Sequence, residues 1–239
     1  MAPDALLLDL DGTLIDWIAG VEAGVHAGAA EFARLFDLDA AEVAAKTLAF
    51  EAEVYESHES GWLLGGIGAA ELYGALWRRA LDEYGLDPDP AAELAAAHWT
   101  AELAAFRSYA DVTALFEITA AAGIRTALVT NGPSAVQRAK LAATGLTDAF
   151  DAVLISAELG TAKPDPLIFQ AALTALKVEP DQAWHIGDSL EYDVAGAQAV
   201  GIEGVWLNRH GWAHGRHQPQ PARELGGFTE LAQLIARAA

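Results

Sequence analysis

Two aspartates follow a short apolar run near the start of the sequence. Residues 6–8 are all leucine, Asp9 and Asp11 come next, and Gly12 follows them. The run predicts a buried strand of a parallel sheet that stops at an Asp-Gly turn. Alternate residues of an extended chain share a face, so the two carboxylates would converge and repel unless a cation or a shared proton separates them. A divalent ion held by oxygen ligands is the simplest such partner, while a plain turn is the alternative explanation.

Polar residues also follow the next three predicted strands, at the points where these strands end. In chain order they are Thr130, Asn131 and Gly132, then Lys163, then Asp188 and Asp193. A hydroxyl and the N–H groups of a glycine-containing loop at a helix start form an anion site. A lysine adds a cation, and further carboxylates complete or brace an oxygen shell. Each residue alone is also explained as a helix cap or a solvated loop residue, but together they favour metal-assisted phosphoryl transfer.

The elements that would position these residues alternate along most of the chain. Strands are predicted at residues 6–8, 124–129, 152–155, 183–186 and 202–207, and helices at 112–122, 134–143, 166–177, 191–200 and 229–238. Such alternation predicts an α/β protein with a parallel sheet covered on both faces. Between residues 16 and 107 only helical patterns occur, at 21–36, 40–57, 68–84 and 91–106, so we expect an inserted helical domain over the strand ends. Residues 210–221 are predicted to form an irregular loop.

The composition excludes several classes of function. The 239 residues include 34 acidic and 14 basic side chains, a net charge of −20, which argues against nucleic acid or an anionic membrane surface as a partner. The sequence has no cysteine, so disulfides and thiolate metal sites are excluded. The first residues lack the features of a signal peptide, and no segment reaches membrane-spanning length. We expect a soluble cytoplasmic protein, either a monomer or a homodimer.

Four groups of these residues resemble, in order and spacing, the four motifs of the haloacid dehalogenase-like hydrolase superfamily. They are Asp9-Leu10-Asp11-Gly12-Thr13-Leu14, Thr130-Asn131-Gly132, Lys163-Pro164, and Gly187-Asp188 with Asp193. The likeness spans the whole chain. It implies a three-layer, Rossmann-like catalytic core made of residues 1–16 and 108–239, and a type-one helical cap domain made of residues 17–107.

The resemblance also implies a reaction. Asp9 would be the nucleophile that takes the phosphoryl group as an aspartyl-phosphate, and Asp11 would be the general acid and base. Mg²⁺ would be held by the Asp9 side chain, the Asp11 carbonyl and Asp188, and would neutralise charge in the transition state. The expected activity is hydrolysis of a small phosphorylated metabolite, of the nucleotide or sugar phosphate type.

The remaining motif residues would bind the phosphoryl group or support the residues that do. The resemblance gives Thr130 and Lys163 catalytic contacts with its oxygens, gives Asn131 and Gly132 substrate contacts beside them, and places Asp193 behind the metal ligands. Trp17 stands at the cap entrance where the family commonly has serine, and is a further candidate for substrate binding. The segment 107–111 also lacks the usual Pro-Gly pair before the first core helix.

Three other functions fit the same scaffold. In a 2-haloacid dehalogenase the nucleophile attacks carbon and needs no metal, and the acid at position 11 argues against this reaction. A phosphomutase differs from a phosphatase mainly in how the cap excludes water, which the sequence does not show. A noncatalytic binding protein would bind Mg²⁺ and release no phosphate.

Overall fold

The computed structural model describes residues 2–238, except for the side chains of residues 237 and 238. The chain divides into two compact units. We call residues up to 16, 108–131 and 144 onward the sheet unit, and residues 17–107 with 132–143 the helical unit. The structure thus groups residues 132–143 with the helices, whereas the sequence placed them in the core. It stays a prediction that the sheet unit is the catalytic core and that the helical unit is a cap.

The sheet unit is built on a parallel sheet. Within the described residues its strands are β1 (Ala5–Leu8), β2 (Arg125–Thr130), β3 (Ala152–Ile155), β4 (Ala183–Gly187), β5 (Glu203–Leu207) and β6 (Arg223–Leu225). They are hydrogen-bonded in the order β3-β2-β1-β4-β5-β6. β1 is fully buried and central, with Leu8 aligned to Leu128 of β2 and to Ile186 of β4. This arrangement confirms the predicted α/β, Rossmann-like fold.

The α-helices of both units follow the predicted pattern closely. In the described residues they are α1 (Trp17–Phe36), α2 (Ala40–Leu63), α3 (Ala69–Glu83), α4 (Ala91–Ala105), α5 (Val112–Ala122), α6 (Ser134–Thr144), α7 (Ser156–Leu159), α8 (Pro166–Leu176), α9 (Gly196–Ala199) and α10 (Phe228–Ala238). Among the described residues, no helix has the length and apolarity that a membrane span requires.

One face of the sheet is packed mainly by α8. Leu7 and Val129 from adjacent strands form a buried cluster with Ile168 and Phe169 of this helix. Asp165 caps the start of α8 by accepting a hydrogen bond from the N–H of Leu167, which fixes where the helix begins. Elsewhere in the sheet unit α5 contacts both α10 and β2. Helices thus pack on the sheet, and its strand ends are left for the site.

Three parts of the sheet unit differ from the predicted elements. One is α7, a four-residue helix that was not predicted. The helix predicted at residues 191–200 is a π-helical stretch, Leu190–Ala195, followed by the short α9. π-Helical turns are rare and often occur at functional sites. Strand β6 was not predicted, because Arg223-Glu224-Leu225 contains a single apolar residue and shows no alternation. It lies at the sheet edge, where charged side chains are usual.

The helical unit packs around α1. Phe32, Trp77 and Leu94 are fully buried in its core, and Val136 of α6 joins the same cluster. Three glycines spaced four residues apart, Gly20, Gly24 and Gly28, lie on the buried face of α1. A Cβ atom on the last of them would lie 2.1 Å from the Trp77 ring, which is closer than any real contact. The absence of a side chain therefore allows this close packing.

We expect Gly28→Ala to destabilise the helical unit by about 1–3 kcal/mol, because the methyl group forces Trp77 out of place. Gly61→Ala in α2 is the matched control, because its Cβ would lie 3.5 Å from Ile67, an ordinary contact. Alanine normally stabilises a helix over glycine by up to about 1 kcal/mol. Chemical denaturation of both variants tests this, and a Gly28→Ala protein as stable as the wild type would contradict the packing.

Candidate active site

Asp9 is the first residue after the central strand. Its carboxylate is buried, and its N–H donates to the carbonyl of Ile186 at 3.0 Å, which continues the pairing of β1 with β4. Gly12 has a φ of 77° and donates to the carbonyl of Ile15 at 2.9 Å, so the chain turns directly after Asp11. The pairing with β4 thus holds the Asp9 backbone at the centre of the sheet.

Lys163 reaches this position from the loop after α7. Its Nζ atom donates to Asp9 Oδ1 at 2.5 Å and to Asp193 Oδ1 at 2.6 Å, and the side chain is 3% exposed. The side-chain amide of Asn131 accepts from the Lys163 N–H at 2.8 Å and donates to its carbonyl at 3.0 Å. The end of β2 therefore fixes the backbone that carries the buried ammonium.

Asp193 is held as firmly as the lysine that it binds. Its Oδ1 also lies 2.9 Å from His185 Nε2, and its Oδ2 accepts from the Ser189 N–H at 3.0 Å. A Cβ atom at Gly187 would lie 2.1 Å from the Asp193 carboxyl carbon, so the glycine is what lets this carboxylate lie against the end of β4. Both carboxylate oxygens of Asp193 are engaged by these contacts.

Three carboxylates meet at this point of the sheet unit. One oxygen each of Asp9, Asp188 and Asp193 lies within 4.8 Å of the others. Asp11 is close enough to raise the pKa values of Asp9 and Asp188 by its charge. The structure therefore brings together the predicted acids of the first and fourth motifs, with the lysine of the third between two of them.

The pKa values of these carboxyl groups are shifted in opposite directions. Burial raises the pKa of Asp9 to about 7, partly offset by Lys163 and increased by Asp193. Burial and the charges of Asp9 and Asp193 raise the pKa of Asp188 to about 8. Burial also opposes the charge of Asp193, but Lys163 and His185 outweigh it and lower the pKa of that carboxyl. Ionising all three carboxyl groups would therefore place more negative charge here than the single lysine neutralises.

His185 is a site residue that the sequence analysis missed. Burial lowers its pKa, so the imidazole is neutral and donates to Asp193 from Nε2. Its ring also meets Phe169 edge-on, with centroids 5.0 Å apart. The available signal was a histidine inside an otherwise apolar predicted strand, because a fully buried imidazole requires a polar partner.

The other predicted residues lie in different places. Thr130 is buried at the end of β2, aligned with Ile155 of β3. The Asn131 side chain binds the Lys163 backbone, so a substrate contact by this residue would have to use its own N–H. Trp17 and Gly132 belong to the helical unit, and their substrate contacts stay a prediction.

Comparison with known proteins identifies related chains. A family model for haloacid dehalogenase-like hydrolases matches residues 3–201. A phosphoserine phosphatase from Thermus thermophilus is 40% identical over 56% of this chain, which spans about half (53%) of that relative. A ribulose-1,5-bisphosphate 5-phosphatase from Halopiger xanaduensis is 34% identical, covering 84% of this chain and 83% of its own. A phosphoglycolate phosphatase from Rhodospirillum rubrum is 34% identical, with 97% and 89% covered.

Two solved structures share the fold of this chain. A phosphatase from Thermococcus onnurineus is 27% identical, with a TM-score of 0.68 and 98% of both chains covered. A 2-haloacid dehalogenase from Pseudomonas syringae is 26% identical, also with a TM-score of 0.68, and covers all of both chains. The fold is therefore shared by proteins whose names give two different reactions, and the site has to distinguish them.

Two isosteric substitutions test the electrostatics of the site in the presence of a chelator. We expect Asp193→Asn to lower the free energy of unfolding by roughly 3 kcal/mol, because the buried Lys163 loses one of its two carboxylates. We expect Asp188→Asn to leave that free energy unchanged or higher, because the folded state disfavours the Asp188 charge.

Both variants are compared with the wild type by chemical denaturation above the Asp188 pKa of about 8, where that carboxylate is ionised. A raised carboxyl pKa destabilises the folded state at such a pH, and a lowered one stabilises it, so the two effects should have opposite signs. Equal losses in both variants would contradict this assignment.

Proposed function

Because the chain belongs to the haloacid dehalogenase-like hydrolase family, we propose that it is a Mg²⁺-dependent phosphatase of small phosphate monoesters that works through an aspartyl-phosphate. One observation carries the proposal: a buried lysine is bound to Asp9 inside a cluster of carboxylates at the carboxyl ends of the strands. This is where open α/β sheets bind ligands.

The donor set fits a hard divalent cation. Carboxylate oxygens are the ligands that Mg²⁺ prefers, and the raised pKa values of Asp9 and Asp188 indicate negative charge that a cation would offset. Asp9, Asp188 and the Asp11 carbonyl would hold the ion, while Asp193 has both oxygens engaged and would brace Lys163 from behind. When bound, Mg²⁺ would neutralise charge so that a carboxylate can approach an anionic ester.

In the first step, Asp9 attacks phosphorus and the ester P–O bond breaks. Asp11 gives its proton to the leaving oxygen, so that the alcohol departs as a neutral molecule. Lys163 fixes Oδ1 of Asp9 and thereby limits rotation of the nucleophilic carboxylate. An ammonium has three protons, and two are used by Asp9 and Asp193. We assign the third to a phosphoryl oxygen, which Thr130 would also contact.

In the second step, water hydrolyses the aspartyl-phosphate. Asp11 is now a carboxylate and takes a proton from the water as it attacks phosphorus, and the bond from phosphorus to the Asp9 oxygen breaks. Phosphate is released and both aspartates return to their starting states. Asp193 would keep Lys163 in place during both steps. Among the described residues, only the carboxylates of Asp9 and Asp193 bind the Lys163 Nζ.

The substrate is proposed to be a small phosphorylated metabolite. The relatives above are named for phosphoserine, ribulose bisphosphate and phosphoglycolate, all small anionic esters. We further propose that the helical unit is the cap that selects among such esters, with Trp17 at its first helix as a substrate contact. The Asn131 N–H and Gly132 would contribute donors at the phosphoryl end.

Dehalogenation is the competing activity, because one structure that shares this fold is a 2-haloacid dehalogenase. In that reaction the nucleophile attacks carbon, and a halide leaves without needing a proton or a metal. The acid at position 11 argues against this reaction, because a leaving halide does not need the proton that Asp11 would supply to an alcohol. Release of chloride from chloroacetate by a chelator-treated protein would favour the dehalogenase.

We expect the protein to release phosphate from p-nitrophenyl phosphate with Mg²⁺ and to lose this activity with EDTA. Asp9→Asn should lower kcat at least about 10³-fold, because the amide cannot form the covalent intermediate. Asp4→Asn, a surface aspartate five residues earlier, is the matched control and should retain full activity. Equal rates with and without EDTA, or an active Asp9→Asn variant, would refute the mechanism.

The raised pKa values give the proposed metal site a pH dependence. Below about pH 8 a proton occupies Asp188, and below about pH 7 a second occupies Asp9, so Mg²⁺ has to displace them. The association constant should fall about tenfold for each pH unit below about 8, and more steeply below about 7. Calorimetric titrations in buffers of different ionisation enthalpy measure affinity and proton release together. An affinity that does not change with pH would contradict these ligands.

A further inference from the structure

Arg209 lies just after β5, beyond the segment that matches the family model. Its side chain is 10% exposed. Nε and Nη2 donate to the carbonyl of Thr13 at 3.1 and 2.9 Å, while Nη1 and Nη2 donate to the two carboxylate oxygens of Asp111 at 3.1 and 3.0 Å. One guanidinium therefore joins two segments of the sheet unit that are almost a hundred residues apart in sequence.

The guanidinium is fixed on its faces as well as its edges. Its carbon lies 4.0 Å from the ring centroid of Tyr109 and 5.0 Å from that of Phe228. Asp111 also accepts the Phe228 N–H at 2.8 Å. Although burial opposes its charge, Arg209 and this N–H lower the pKa of Asp111, so the pair is ionised. Bidentate pairs of this kind are geometrically specific.

The backbone that carries Arg209 is itself clamped. The preceding residue, Asn208, accepts from the Trp212 N–H at 2.8 Å, and its amide donates to the Trp212 carbonyl at 2.9 Å and to Glu224 at 2.7 Å. The loop after β5 is thus closed on itself and on the β6 edge. Arg209 extends from a fixed base, which is what a support for another segment requires.

The segment that Arg209 supports is the turn that contains Asp11. This turn is closed by hydrogen bonds from Leu14 and Ile15 to the Leu10 carbonyl and from Gly12 to the Ile15 carbonyl. Asp11 lies beyond the end of β1, so the turn, not the sheet, sets its position. Within the contacts given above, Arg209 is the side chain that binds the turn from outside, at the Thr13 carbonyl.

We propose that Arg209 is a positioning residue that sets the place of Asp11 by holding the Thr13 carbonyl, with Asp111 and Tyr109 fixing the guanidinium. This inference rests on the proposed function, in which Asp11 protonates the leaving oxygen. Loss of the guanidinium fork should therefore impair the step that needs the acid more than the step that needs only the nucleophile. A lysine cannot replace it, because a single ammonium cannot bind Thr13 and both Asp111 oxygens in the same geometry.

The experiment compares two similar substrates that differ in their need for the acid. Phenyl phosphate has a poor leaving group that requires protonation, whereas p-nitrophenyl phosphate has a leaving group that departs as an anion. For Arg209→Lys we expect kcat/KM to fall about a hundredfold with phenyl phosphate and less than about tenfold with p-nitrophenyl phosphate. Arg223→Lys is the matched control, since Arg223 pairs with Glu203 and contacts Trp184 far from the turn in sequence, and it should change neither value.

Hydrogen–deuterium exchange gives a readout that does not depend on activity. In metal-free Arg209→Lys we expect the amides of residues 12–15 to exchange at least about tenfold faster, with exchange in β4 unchanged. If Arg209→Lys does not fold, Asp111→Asn weakens the same clamp more gently and should show the same selective effects at smaller size. Equal losses on both esters, or no loss on either, would overturn the positioning role.

The two proposals fail in different ways. A wild-type protein that is inactive on both esters with Mg²⁺ would refute the proposed phosphatase and leave Arg209 to be judged by exchange alone. Unchanged exchange in residues 12–15 of Arg209→Lys would then overturn its support of the turn. An active wild type with unselective Arg209→Lys losses would refute only the role of Arg209.

Discussion

The buried contact of Lys163 with Asp9 and Asp193 is the constraint on which the rest of the sheet unit depends. An ammonium at 3% exposure is stable only with charged partners at short range. Those partners come from the end of β1 and from the π-helical stretch after β4, while Asn131 after β2 holds the lysine backbone. One cation therefore ties together four segments that are distant in sequence.

The net charge of the chain and the carboxylates of the site both oppose the binding of phosphate. A net charge of −20 repels phosphate, and the carboxylate cluster adds to that repulsion locally. Lys163 neutralises Asp193 and part of Asp9, which leaves Asp188 with a raised pKa. A site of this kind has little affinity for an anion until a further cation joins it. The family membership and the donor set lead to the same proposal by independent routes.

The sequence predicted those parts of the molecule that local patterns encode. β1 and β4 are short apolar runs, and the motif acids Asp9 and Asp188 follow them, so both strands and the meeting of these acids could be expected. Asp193 was expected behind the metal ligands, and in the structure it binds Lys163. These features depend on the strand ends of a parallel sheet, which the alternation of elements already implies.

The missed features depend on pairings between distant residues. His185 is hidden inside an apolar strand, and its role appears only when Asp193 lies against it. Asn131 was expected to contact substrate, and the structure shows that its side chain binds the backbone of a residue thirty-two positions later. Arg209 belongs to no motif, and β6 has too few apolar residues to produce a period. No local rule of composition or spacing identifies such partners.

The central place of β1 has a consequence for biosynthesis. β1 pairs with residues 125–128 and 183–186, so its first neighbour is made more than a hundred residues after it. Helices α1–α4 are made between β1 and β2 and contact one another over shorter separations, and such elements form quickly, whereas distant parallel pairing is slow. Asp9 therefore follows an apolar segment that stays unpaired until β2 has been made, and it meets Asp188 and Asp193 only after β4 has been made.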